Sequence, residues 1–221
     1  MSTPSSPTRG RPARLSQART LQTALDLLDE SGLDALTMRR LADAMGVQAG
    51  ALYRYFATKQ DLLTAMAERM VGGVADAAGP TGEGDWSERV ARLARALRTA
   101  LLAHRDGARV FAGTHSTGPN TLGFADSLVG VLREGGFDDG EAARALYSVA
   151  NFTVGHTLEE QAALRPEGGG PADAGVLREA VAAGTYPHLA AALPVLTSTD
   201  FTAHFEFGLR VLLEGLRAVQ R

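Results

Sequence analysis

The chain has 221 residues, of which 45% are hydrophobic and none is cysteine. That length and composition support one large domain or two small ones with a real apolar core, and exclude disulfides, zinc–thiolate sites and cysteine nucleophiles. The net charge of −3 is unevenly spread: residues 1–59 carry 8 basic and 5 acidic residues, the remainder 14 basic and 20 acidic. A basic quarter joined to an acidic body suggests a polyanion-binding module attached to something else. Met1 is followed by Ser, Thr, Pro and Arg rather than an apolar stretch, and no run approaches the ~18 apolar residues of a membrane span. The expectation is a soluble, cytoplasmic protein without a membrane partner.

In chain order, residues 1–15 are rich in Pro, Ser and Arg and read as a flexible basic arm. Ser16 is a candidate N-cap, and Leu21, Ala24, Leu25 and Leu28 then recur at helical spacing until Gly32. Thr37 is the expected cap of a second helix, Met38 to Met45, and Gly46 the turn after it. A third helix is expected over Gln48–Phe56. Thr58 and Asp61 form a capping-box pattern for a fourth, running to the mid-seventies. Gly-rich 78–85 is a hinge. Further helices are expected over Trp86–His104, Ala108–Gly113, Thr121–Glu134, Glu141–Leu164, Val176–Ala183 and Asp200–Val219, with a linker over 165–175. No period-2 strand pattern appears, so the fold class is all-α. The predicted domains are a helix-turn-helix unit over 16–60 and a larger helical ligand-binding and dimerisation body over 61–221.

The third helix opens with Ala49, Gly50 and Ala51, side chains too small to fill a core. In a helix-turn-helix, the last helix enters the major groove with its N-terminal residues at the base edges, and small side chains permit close approach. Ala51 also offers a methyl to thymine. Arg39 and Gln48 are long polar side chains suited to reading bases. Tyr53, Arg54, Tyr55 and Lys59 suit phosphates, as does the helix start at Thr37. The same residues would also serve a plain three-helix core in which Tyr53 packs beside Leu52 and Phe56.

The stretch "LTMRRLADAMGVQAGALYRYFATKQDLLTAM", residues 36–66, closely resembles the N-terminal domain of TetR-family transcriptional repressors. The segments "LLAHRDGARVFAGT" (101–114), "ANFTVGHTLEEQ" (150–161) and "FEFGLRVLLEGL" (205–216) resemble the ligand-binding and dimerisation domain of tetracycline-repressor-like members. The resemblance implies a homodimer that binds a palindromic duplex operator and is released by a small effector. It also implies base and phosphate contacts near Arg39, Gln48, Ala49, Ala51, Tyr53, Arg54 and Lys59, and an effector-responsive segment at "HRDG" (104–107), where Gly107 and Gly113 would permit rewinding.

The chain departs from the magnesium–drug chemistry of those members. The family's metal-binding histidine falls on Phe111 and its water-linked glutamate on Glu159. Drug-gripping polar positions fall on Ala75, Leu93 and Leu97, and a loop arginine becomes His115. One carboxylate without its imidazole partner is a poor magnesium site. The expectation is a metal-free, cofactor-free pocket for a mostly apolar or aromatic effector. Its expected walls are Leu93, Leu97, Phe111, Phe124 and Leu128, with Thr114, His115, Asn151 and His156 orienting polar groups. His104, His188 and His204 read as structural or surface residues. Two alternatives stand: a magnesium–drug-responsive repressor, and a ligand-independent DNA-binding protein. An enzyme is not expected. "HRD" at 104–106 lacks the other kinase motifs, and "GGG" at 168–170 lacks the rest of a phosphate loop.

Overall fold

The computed structural model describes residues 16–82, 84–164 and 174–220, and among these there are helices and turns but no strand. The expected arm over 1–15 and most of the expected linker over 165–175 lie outside the described residues.

Four helices build the N-terminal head. Helix α1, Gln17–Ser31, starts where the Ser16 side chain accepts the Arg19 N–H, and stops at Gly32, whose φ of +79° favours glycine. Helix α2, Met38–Met45, is capped by Thr37 and closed by left-handed Gly46. Helix α3 is shorter than the sequence suggested: Ala49–Leu52 rather than Gln48–Phe56. The Tyr55 N–H turns to the Leu52 carbonyl, three residues back, which tightens and ends the helix. Helix α4, Lys59–Met70, opens with a complete Thr58–Asp61 capping box and ends before the mid-seventies. A short 3-10 helix, Val74–Ala78, follows. Leu25, Leu28, Leu41, Leu52, Phe56, Leu62 and Met66 are buried together as the head core.

The body comprises α5 (Trp86–Leu102), α6 (Gly107–Ala112), α7 (Pro119–Glu134), α8 (Asp139–Ala163), α9 (Ala174–Ala183), α10 (Pro187–Leu196) and α11 (Phe201–Val219). Helix α8 starts two residues earlier than expected because Asp138 and Glu141 form a capping box. Helix α10 carries no periodic signature in the sequence. Leu93, Leu97, Leu101, Leu128, Leu132, Val149, Phe205 and Leu209 form the main body core. Val110 of α6 packs into the head core instead, and Phe111 touches both cores. Helix α6 thus packs against both parts.

Candidate DNA-binding and effector sites

The start of α3 is accessible. Ala49 and Ala51 are half-buried, and Gln48 and Gly50 exposed. A Cβ added to Gly50 would meet nothing within 4 Å, and its φ is not left-handed, so nothing inside the chain requires glycine there. Around this stub Thr37, Arg39, Arg54 and Tyr55 are exposed, Lys59 is half-buried, and Tyr53 is 50% exposed rather than packed into the core. The Thr37 hydroxyl accepts the Arg40 N–H as the α2 cap. Along the chain, the expected DNA-facing residues fall at the starts of α2, α3 and α4 and in the turn after α3.

The expected effector residues are more scattered. Leu93, Leu97, Phe124 and Leu128 are 0%, 1%, 4% and 0% exposed. They pack together in the body core. Thr114 donates its hydroxyl to the Phe111 carbonyl at 2.9 Å, and His115 is exposed in the loop after α6. Asn151 and Glu159 are exposed on α8. His156 lies against Phe152 and edge-on to Phe205, with its buried Nδ1 lacking a hydrogen-bond partner. Burial pushes the imidazole below its usual pKa; nearby Glu160 opposes this, and Arg98 and His204 add to it. The carboxylate next along α8, Glu160, is the buried one: it takes a two-pronged contact from Arg98 at 2.7 and 2.9 Å.

Two of the body's concavities carry no sequence signature. One, of about 560 Å³, lies against α7 and is lined by Leu122, Gly123, Ala125, Asp126 and Val129. A Cβ on Gly123 would sit 3.8 Å from the Ala75 methyl, so it adjoins the 3-10 helix. The other, about 480 Å³ between α5 and α11, is charged, with Arg95 paired in two-pronged fashion to Glu206 across it. Phe111 has no donor atom for a metal, and among the described residues no group of three His, Asp or Glu side chains is placed to hold one.

Two family models match the chain. "Bacterial regulatory proteins, tetR family" covers residues 21–66, and "Tetracyclin repressor-like, C-terminal domain" covers 78–220. The chain belongs to the TetR family of transcriptional regulators. It is 42% identical over 197 residues to the class A tetracycline repressor from transposon 1721 of Escherichia coli, covering 89% of this chain and 88% of that protein. A crystal structure of a "possible TetR family transcriptional regulator" from Streptomyces coelicolor A3(2) is 86% identical, with a TM-score of 0.88 over 92% of this chain and all of the other. The Streptomyces coelicolor TetR family protein ActR, crystallised in complex with actinorhodin, is 32% identical with a TM-score of 0.80, covering 93% of this chain and 98% of the other.

In this TetR-family chain α6 is tied to the head by charge. The Asp29 carboxylate lies 3.0 Å from His104 Nδ1 and accepts the Arg105 N–H at 2.9 Å. Arg109 grips Asp34 with both terminal nitrogens at 3.0 and 3.1 Å. Buried Asp106, in the left-handed region at φ +59°, accepts the Leu33 N–H at 2.8 Å. On the body side Gln161 of α8 donates to the Leu101 and His104 carbonyls and accepts the Ala108 N–H. Gly107 is needed for close approach, since a Cβ there would lie 2.2 Å from the Leu101 carbonyl oxygen. The head-facing end of "HRDG" is therefore a polar joint, and His104, expected to be structural or surface, is part of it.

Proposed function

We propose that the chain works as a homodimeric repressor that docks the α3 starts of two heads into successive major grooves and is released by a mostly apolar or aromatic effector without a metal. The observation that supports the DNA reading is the accessible Gln48–Ala51 stub, where exposed Gly50 has open space around it that its own chain does not use. Arg39 and Gln48 are assigned to bases. Tyr53, Arg54, Tyr55, Lys59 and the N-terminus at Thr37 are assigned to phosphates.

The dimer reading rests on α8 and α11. Tyr147 on α8 is 69% exposed, and Phe207 and Val211, one turn apart on α11, are 62% and 55% exposed. Phe207 and Val211 lie on the opposite side of α11 from buried Phe205, Leu209 and Leu213. A second copy covers this apolar face and supplies the paired heads that a palindrome needs. It also gives the exposed Asn151 and Glu159 of α8 a place to act.

The metal-free effector reading is supported by Phe111 and by the apolar Ala75, Leu93 and Leu97 at drug-gripping positions. The effector enters beside α7, at the Leu122–Val129 concavity next to Ala75, and works against Phe111, where head and body cores meet. No helix among the described residues is long and apolar enough to cross a membrane. The test is a thermal-shift screen against aromatic, polyketide-like compounds, with each stabilising compound then titrated into a protein–operator complex. Stabilisation coupled to DNA release is expected. Magnesium-dependent tetracycline binding of comparable strength would contradict the metal-free reading, and no response to any compound would favour a ligand-independent binder.

A further inference from the structure

Helix α7 has an unusual start. Its N-cap is Gly118, which has no side chain to satisfy the first free N–H groups. The seat is filled from 50 residues away in sequence. The Glu68 carboxylate, on α4, accepts the N–H groups of Asn120 and Thr121, the Thr121 hydroxyl at 2.7 Å and the Ser116 hydroxyl at 2.9 Å. The Asn120 side chain in turn donates to the Glu68 carbonyl at 3.0 Å. A Cβ at position 118 would lie 2.4 Å from the Glu68 carboxyl carbon and 2.7 Å from both its oxygens. Gly118 is therefore glycine because Glu68 occupies the place its own cap would take. Burial raises the Glu68 pKa, but hydrogen bonds from Thr121, Asn120 and Ser116 outweigh it and hold the carboxyl below the usual range. The carboxylate also sits at the positive end of the α7 dipole.

We infer that Glu68 is a positioning residue for DNA binding: by capping α7 from α4, it fixes the tilt of α4 and with it the separation of the two heads. The inference rests on the dimeric DNA-binding reading above. Helix α4 begins at the DNA end of the head and its apolar face, Leu62, Met66, Ala67 and Met70, is buried in the head core. Apolar packing lacks direction. The polar bonds from α4 to the body described here are Glu68 to the α7 start and Gln60 to the Gly113 carbonyl. A helix of 12 residues is about 18 Å long, so a tilt of about 10° about its Glu68 end moves the DNA end by about 3 Å. Two heads moving apart double that, a large error against half-sites about 34 Å apart. The Ser116–Thr121 segment that grips Glu68 follows directly on α6 and its Thr114–His115 loop. A rearrangement of α6 therefore pulls on the donors of the Glu68 carboxylate before it reaches the DNA.

The test uses the whole chain as a dimer, which lacks native cysteine, with Ala44→Cys at an exposed position of α2 as the sole spin-label site. Electron–electron resonance then reads the distance between the heads. A single narrow wild-type distance is the check on the dimer itself, and its absence contradicts the functional reading together with this inference. Glu68→Ala is expected to at least double the width of that distribution and to weaken binding to an operator-selected duplex about 10-fold. In Glu68→Ala/Gly118→Asp a local aspartate caps α7 without linking it to α4. That variant is expected to regain melting temperature while keeping the broad distribution and weak binding. An unchanged distance distribution in Glu68→Ala, or full recovery of the narrow distance and the affinity in the double variant, would make Glu68 a structural cap only and overturn the inference.

Discussion

The Asp106 carboxylate accepts the Leu33 backbone N–H at 2.8 Å, bonding the loop before α6 to the turn between α1 and α2. Asp106 is 5% exposed and left-handed, a conformation that aspartate tolerates better than most residues. Replacing it by alanine leaves the Leu33 N–H without this acceptor and puts a less tolerant residue at φ +59°. Asp106→Ala is expected to cost about 1.5–3 kcal/mol in urea unfolding, and to speed hydrogen exchange at Leu33. Asp106→Asn keeps an acceptor oxygen and is expected to cost less than half as much.

Gly50 separates fold from function. Alanine fits there without contact, and alanine is favoured over glycine within helices by up to about 1 kcal/mol. Gly50→Ala is therefore expected to raise the melting temperature slightly while weakening DNA binding. Ala51→Leu, which adds bulk where the main chain must approach bases, is expected to lower operator affinity by at least about 10-fold. Calorimetry and fluorescence anisotropy on the same samples check the pair, and improved operator binding by Gly50→Ala would contradict the close-approach argument.

Lys59 and Gln48 are proposed to divide the labour of binding. Lys59→Ala is expected to weaken binding to all sequences alike and to reduce the salt slope by about one. Gln48→Ala is expected to relax preference at particular base pairs by about 1–3 kcal/mol while leaving the salt slope unchanged. Binding titrations over a duplex library at several salt concentrations separate the two. A uniform loss in both variants would refute the assignment.

His156 is expected to make stability depend on pH. Its folded pKa is lowered, mainly by burial, so the unfolded chain binds the proton more readily and acid favours unfolding. The contribution is fully present above the unfolded value of about 6.5 and is lost as pH falls through the folded value. Melting temperatures between pH 7.5 and 5 are expected to fall more steeply for the wild type than for His156→Phe. Equal slopes would show that His156 is not desolvated.

Much of the head could be read from local chemistry. Gly32, Gly46, the Thr58–Asp61 box and the Ala49–Ala51 stub are signals contained within a few residues, and each marks a feature seen in the fold. The end of α3 was misread because Tyr53 and Tyr55 continue a helical-looking pattern, while the bond from Tyr55 to Leu52 that ends the helix leaves no sequence signature. Helix α10 was missed for a related reason. It is apolar on every side and includes Pro187 and Pro194, so it shows neither a periodic stripe nor a favourable interior. The body yielded least. Leucines that wall a pocket and leucines that fill a core are identical in sequence, and only packing placed Leu93, Leu97 and Leu128 in the core. Glu68 looks like any solvated helix carboxylate until its partners, 48 to 53 residues away, are brought to it.

The central claim is that two chains present two α3 starts to one duplex. Sedimentation equilibrium of the purified protein with a palindromic duplex, selected from a random pool at low ionic strength, measures this directly. The account predicts two chains on each duplex, and loss of that complex with Ala51→Leu while the protein alone remains a dimer. A monomer that leaves the duplex unbound would contradict it.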